Sequence, residues 1–418
     1  MKFIPRQDVF HFRGEIQLIL RTILSGDWRD GKALVEVEQK FARYIGCKYA
    51  ILIPSVTFGM QEILRFLCKK GDEVICPAFC HYSIPLAVLS ARAKPVFADV
   101  NYKTLNIDAK EIESKLTDKT KVIIVLHFGG YVAEMDSILK IAEQYNLSVI
   151  SDCAHACGAE YKGRKLGAIE KAACFSFGTG KNLDGFGAAM VTTNDDLLAS
   201  NIREALHLLC RWPSLMELTV KIARAYIQWL LMKPIFFYTF TLPLIWISSA
   251  IHKERDILYE IANPSNKKIS PELSTKDRIR PCNLQAKVIL KHLEFLERRN
   301  ERIIENARFL TEQLGNLENI CLTPELPETR SVFLLYPIKT KNKGDLSFKL
   351  LIQGIDTRKK YLDIPYNLKI LSKFKACSPV AEKLVRETLY LPVYDSLGKD
   401  DMIKIADAIK RVAVNAKR

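Results

Sequence analysis

Between residues 35 and 193, short apolar runs alternate with longer stretches of helical periodicity. The runs have the length of strands and fall at 50–53, 73–76, 94–97, 122–126, 147–150, 172–177 and 188–192. Some, such as V-I-I-V-L at 122–126, are apolar at every position rather than at every second one. A strand that is apolar on both faces is buried on both faces, as in a parallel sheet covered by helices. The pattern predicts an α/β protein with a mostly parallel, seven-stranded sheet, whose ligands bind beyond the carboxyl ends of the strands. From about 280 to 314 the spacing becomes that of one long, charged helix, and a strand at 331–338 and a helix from Lys399 follow. We therefore expect a large domain over residues 1–280, then a linking helix and a smaller C-terminal α/β domain over 281–418.

One stretch departs from this rhythm. Residues 234–251, P-I-F-F-Y-T-F-T-L-P-L-I-W-I-S-S-A-I, carry no charge and sit within a longer insertion, 205–267. Lys221, Arg224 and Lys233 precede the uncharged run, and His252, Lys253 and Arg255 follow it. Crossing a bilayer takes about 20 apolar residues; this run is short and is broken by Pro243. An interfacial hairpin suits it better, with Tyr226, Trp229, Tyr238 and Trp246 at headgroup depth. The alternative is a helical pair buried between subunits.

Composition narrows the function. The 418 residues, 48% hydrophobic and 26% charged, are ample for a large core and exclude wholesale disorder. A net charge of +15 points to an anionic substrate such as a nucleotide sugar, to anionic lipid, or to nucleic acid. No basic-aromatic nucleic-acid motif is present, so no nucleic-acid partner is expected. The eleven cysteines are scattered through apolar segments rather than spaced as a disulfide framework. Cys153 and Cys157 flank His155, but no second pair of metal-site spacing follows, so free thiols and no metal are expected. The start, M-K-F-I-P-R-Q-D, has no apolar signal core. The expectation is a cytoplasmic protein, with the insertion peripheral or monotopic on the inner face of the membrane.

The chemistry gathers around Lys181. The run at 147–150 leads to an acid, Asp152, and the run at 172–177 leads to a hydroxyl, Ser176, and then to the lysine in G-T-G-K. A carboxylate, a hydroxyl and an amine at neighbouring strand ends are what pyridoxal 5'-phosphate (PLP) needs. The carboxylate keeps the pyridinium nitrogen protonated, the hydroxyl binds phosphate, and the amine forms a Schiff base. In P-S-V-T-F-G-M, the residues that follow Val56 and Thr57 open a helix whose amides and positive end suit the phosphate. Each residue also has a plainer reading: helix caps at Asp152 and Thr57, and a loop lysine at Lys181.

These segments resemble the DegT/StrS type of PLP-dependent aminotransferases, of fold type I. The resemblance runs in order through G-D-W-R-D-G-K near Gly26, F-A-R-Y-I-G-C-K-Y-A from Phe41, K-G-D-E-V-I-C-P-A-F from Lys70, K-P-V-F-A-D-V from Lys94, H-F-G-G at His127 and L-Y-L-P-V-Y-D-S-L near Leu389. It covers nearly the whole chain except the insertion. It implies amino transfer from an amino acid such as glutamate to a keto sugar, mostly on a nucleotide carrier. It makes Lys181 catalytic and excludes the family's dehydratases, which carry His there. It gives Asp152 to the pyridinium, Ser176 and Thr57 to the phosphate, and His155 to the ring or its hydroxyl side. His81 stands where the family places an aromatic ring over the cofactor. Arg278 and Arg280 match a segment that reaches the neighbouring subunit's phosphate, which implies a homodimer. The chain departs from the family where Val56 replaces Gly and where Phe186-Gly187-Ala188-Ala189 replaces Gly-Glu-Gly-Gly. The second departure touches the substrate side. The apolar insertion keeps open a lipid-linked or otherwise amphiphilic acceptor, and a regulator without turnover is the non-enzymatic alternative.

Overall fold

The structure is a computed structural model that describes residues 3–251, 254, 256–262 and 269–415. The predicted apolar runs appear as β1 (Tyr49–Ile53), β2 (Glu73–Pro77), β3 (Lys94–Ala98), β4 (Thr120–Leu126), β5 (Ser148–Asp152), β6 (Ala172–Phe177) and β7 (Ala188–Thr193). They form one sheet in the order β1-β7-β6-β5-β4-β2-β3. The four contacts from β3 to β6 are parallel, while β7 runs antiparallel to both β6 and β1. Side chains alternate between faces along each strand. Val122, Ile124 and Leu126 therefore join one core, and Ile123 and Val125 join the core on the opposite face. Register aligns Leu126 with Asp152, and Asp152 with Cys174, so the carboxyl ends of β4, β5 and β6 form one edge.

The long helix is Asn283–Leu314, three residues later than its charge pattern suggests. Pro281 disfavours helical backbone just before it, and the Gln285 Oε1 accepts the Cys282 N–H at 3.2 Å. Its first half packs Ala286, Ile289 and Leu296 on the large sheet. Its second half packs Ile303, Ala307, Leu310 and Leu314 on another core. That core includes a three-stranded antiparallel sheet of β8 (Cys321–Leu322), β9 (Tyr336–Lys339) and β10 (Thr388–Leu391), with the helix Lys399–Asn415 against it. The strand expected at 331–338 is only β9: Phe333, at φ 45, turns the preceding chain out of extended backbone. Eight of the eleven cysteines are buried, while Cys321 and Cys377 are exposed.

The insertion is helical. Ser214 and Glu217 form a capping box that opens the helix Leu215–Leu231. A short helix, Pro234–Phe236, and a π-helical stretch, Phe237–Thr241, lead into the helix Leu242–Ile251. Pro243 is the second residue of that last helix and follows directly on the π-helical stretch. Two of the four expected headgroup aromatics instead face the protein. Tyr226 stacks on His11 at 4.3 Å and donates to Glu15 at 3.1 Å, and Trp229 meets His11 edge-on. Tyr238 and Trp246 are exposed. Among the described residues no helix is long and apolar enough to cross a membrane. His252, Lys253, Arg255 and Lys267 lie outside the described residues.

Candidate active site

The aligned strand ends open into a cleft of about 770 Å³ that holds Asp152, His155, Ser176 and Lys181 from the large sheet and its loops. Ser55, Val56 and Thr57 close one side of it. Arg358, Tyr361 and Tyr390 reach in from the chain beyond the long helix.

Lys181 sits in the loop between β6 and β7, half-buried, in a turn closed by its N–H to the Gly178 carbonyl at 3.1 Å. Its ammonium Nζ donates to the Tyr361 hydroxyl at 3.1 Å. The same loop is tied to the long helix. Asn182 donates to Asn300 at 3.0 Å, and Arg299 donates to the Asn182 carbonyl at 2.9 Å while pairing with Asp395. The lysine is thus aimed by a loop fixed at its base.

Asp152 is the last residue of β5 and is 6% exposed. Its Oδ1 accepts the Ala154 N–H at 2.9 Å. Burial pushes its carboxyl up, against the opposing pull of the Ala154 N–H and the Lys181 cation. A cationic N–H placed in the cleft would favour the ionised carboxylate. His155, also buried, accepts the Gly129 N–H at Nδ1, 3.3 Å away, which assigns its proton to Nε2. Burial and the Lys181 charge hold its pKa well below the ordinary value, so the ring is neutral. It meets Tyr361 edge-on at 5.1 Å. Tyr361 itself is pushed up by burial but pulled further down by the Lys181 and Arg358 charges.

Ser55, rather than Thr57, caps the helix Val56–Leu67, accepting the Phe58 N–H at 3.2 Å. The amides of Val56 and Thr57 fall in the first turn, where helical N–H groups have no partner within the helix. Val56 is an ordinary first helical residue and is not in left-handed backbone, so replacing Gly strains nothing there. Ser176, half-buried, also lines the cleft. His81 lies exposed at the cleft edge, its Nδ1 2.7 Å from the Ser83 hydroxyl and its ring 4.2 Å from Tyr82. Arg278 and Arg280 do not line this cleft. Arg278 pairs with Glu272 at 3.2 Å, and the Arg280 guanidinium lies 4.4 Å over the Trp212 ring.

Sequence reasoning missed several cleft residues, Arg358, Tyr361, Tyr390 and Arg6 among them. Tyr361 and Arg358 lie in T-R-K-K-Y-L-D, which has neither periodicity nor motif. The Arg358 guanidinium packs 4.8 Å over the Tyr361 ring, bonds the Gln7 side-chain oxygen, and makes no ion pair among the described residues. Arg6, near the start, is by contrast fully engaged: it pairs with Asp256 and Asp356, each at 2.7 Å.

A buried carboxylate, a lysine amine, a neutral imidazole and an open helix start fit a phosphorylated pyridine aldehyde. The chain matches the model of the DegT/DnrJ/EryC1/StrS aminotransferase family over residues 13–212 and 262–410, and the break falls inside the insertion. It is 30% identical to an uncharacterized protein of Methanocaldococcus jannaschii, over 95% of this chain and 94% of that one. It is 29% identical to the dTDP-3-amino-3,6-dideoxy-alpha-D-galactopyranose transaminase of Aneurinibacillus thermoaerophilus, over 97% of each. The S. venezuelae protein DesV, solved in complex with a ketimine intermediate, superposes with a TM-score of 0.75 at 26% identity, over 96% of this chain and 94% of that one. With the cleft and these likenesses in agreement, the chain belongs to the DegT/DnrJ/EryC1/StrS family and is a PLP-dependent aminotransferase.

Proposed function

We propose that this aminotransferase moves an amino group from an amino acid, glutamate by preference, to a keto sugar on a nucleotide carrier. The observation that carries the reading is the Lys181 amine held 3.1 Å from the Tyr361 hydroxyl in a cleft that also contains the buried Asp152. The sugar-nucleotide transaminase among the relatives supports the acceptor class. In this reading residues 1–280 carry the cofactor and residues 281–418 close over it.

Bound in the cleft, PLP supplies an electron sink and carries the amino group between donor and acceptor. Asp152 holds the ring N–H and keeps its charge in place. The Val56 and Thr57 amides, the helix end behind them and the Ser176 hydroxyl hold the phosphate. His155 flanks the ring as a neutral imidazole, and His81 covers it from the cleft edge. Lys181 would be the acid-base of the 1,3-proton shift, taking the proton from the donor's α-carbon and giving it up again. Tyr361, already hydrogen-bonded to the amine, holds Lys181 in line between those transfers. Arg358, a cation without a carboxylate partner among the described residues, receives the donor's carboxylate, which favours an amino acid as donor. Arg278 and Arg280 act across a homodimer, each on the neighbouring subunit's phosphate.

The test is spectroscopic. Wild-type protein with PLP should show a visible band that glutamate bleaches and a keto acid restores. Borohydride should fix the cofactor to wild type but not to Lys181→Ala. A covalent adduct that persists in Lys181→Ala would show that the lysine is misassigned.

A further inference from the structure

Among the described side chains of residues 234–251 the buried ones are Phe237, Thr241 and Ile245, one every four positions, so a single stripe faces the protein. An ordinary surface helix is polar on the other side. Here the other side carries Ile235, Phe240, Leu244, Trp246, Ile247 and Ile251, each between 52% and 75% exposed, and no charge. Contiguous exposed apolar surface of this kind marks an interaction site.

Charge selects the partner. Arg224 is exposed on the preceding helix, and Lys233 stands at the border of the uncharged run, in a chain of net charge +15. A two-fold contact between copies through this face would bring the same cations together, which opposes association. The family match also stops at 212 and resumes at 262, so this face lies outside the body that the family shares. An anionic lipid surface satisfies both the apolar face and its cationic border, and Trp246 and Tyr238 are suited to headgroup depth.

We propose that residues 234–251 dock this protein onto an anionic bilayer, lying in the headgroup region without crossing it. The same insertion supplies Gln228, Leu231, Met232 and Leu258 to the cleft wall. Docking therefore brings that wall to the lipid surface and presents the cleft to an acceptor carried on the surface. That last consequence rests on the aminotransferase reading; the docking does not.

Flotation with phosphatidylcholine liposomes, with and without phosphatidylglycerol, tests the docking. Wild type should float with the anionic liposomes and bind less as salt rises. The triple variant Leu244→Ser, Trp246→Ser, Ile247→Ser should lose more than about tenfold of that binding, with circular dichroism and the visible cofactor band unchanged. Arg224→Glu lies off the apolar face and keeps the test decisive if the triple variant misfolds. Its binding to anionic liposomes should fall severalfold. The proposal is overturned if wild type stays at the bottom of the gradient, or if either folded variant floats as well as wild type. Wild type that does not float, together with a triple variant that sediments as a smaller species, assigns the face to a second copy instead. Failure in flotation with normal bleaching by glutamate leaves the aminotransferase reading standing.

Discussion

Glu15 offers a sharp test of how the insertion is held. Its carboxylate is 2% exposed and accepts from three elements at once. His11 Nδ1 lies at 2.6 Å, His292 Nε2 on the long helix at 3.0 Å, and the Tyr226 hydroxyl on the insertion helix at 3.1 Å. Burial alone would raise its pKa, but the hydrogen bonds from His11 and His292 outweigh burial and lower it from 4.5 to about 2. At about 1.4 kcal/mol per pH unit, that drop corresponds to about 3 kcal/mol of stability. Because the folded value is the lower one, this stability is present above pH 4.5 and is lost as pH falls toward 2. Glu15→Gln keeps one acceptor and the shape but has no charge to titrate. We expect it to be about 2–3 kcal/mol less stable than wild type at pH 7. The gap should narrow as both proteins are taken from pH 5 to pH 3, and close only toward pH 2. Urea denaturation across that range measures it. A gap under about 1 kcal/mol at pH 7, or a gap that does not change with pH, would refute the reasoning.

Three further outcomes follow from the cleft and its supports. Arg358→Gln should lower kcat/KM for the amino donor by about a hundredfold or more, through the loss of charge-assisted bonds of about 1.5–3 kcal/mol each. Its effect on the acceptor half-reaction should be much smaller, as stopped-flow half-reactions can show. Tyr361→Phe should slow proton transfer at Lys181 by about ten- to a hundredfold while cofactor still binds, measured as kcat against retained absorbance. Gly130→Ala should destabilise the protein by about 1–3 kcal/mol, because Gly130 is at φ 87 and an added Cβ would lie 2.8 Å from the His155 carbonyl; thermal unfolding reads it.

The strands could be read from the sequence because their burial is written into continuous apolar runs, and V-I-I-V-L of β4 is buried on both faces as it predicts. The direction of β7 was not legible, since an antiparallel strand covered on both faces has the same composition as a parallel one. Asp152, Ser176 and Lys181 were legible because strand ends bring near neighbours in sequence together. Tyr361 and Arg358 were not. They enter the cleft from beyond the long helix, and a contact across 180 residues leaves no periodic trace. Tyr226 and Trp229 show the same limit in the insertion. Aromatic residues suit a headgroup and a packed histidine equally well, and only tertiary contact decides between them.

The helix Asn283–Leu314 sets a ruler inside the molecule. Its front half is seated on the large sheet, its rear half on the second core, and Arg299 and Asn300 near its middle grip the loop that bears Lys181. One residue added between those seats would turn the rear half by about 100° and advance it by about 1.5 Å. Arg358 and Tyr361 would then swing away from the amine they face. A change of length is thus barred along this helix, because its register sets both cores and the loop that bears the lysine.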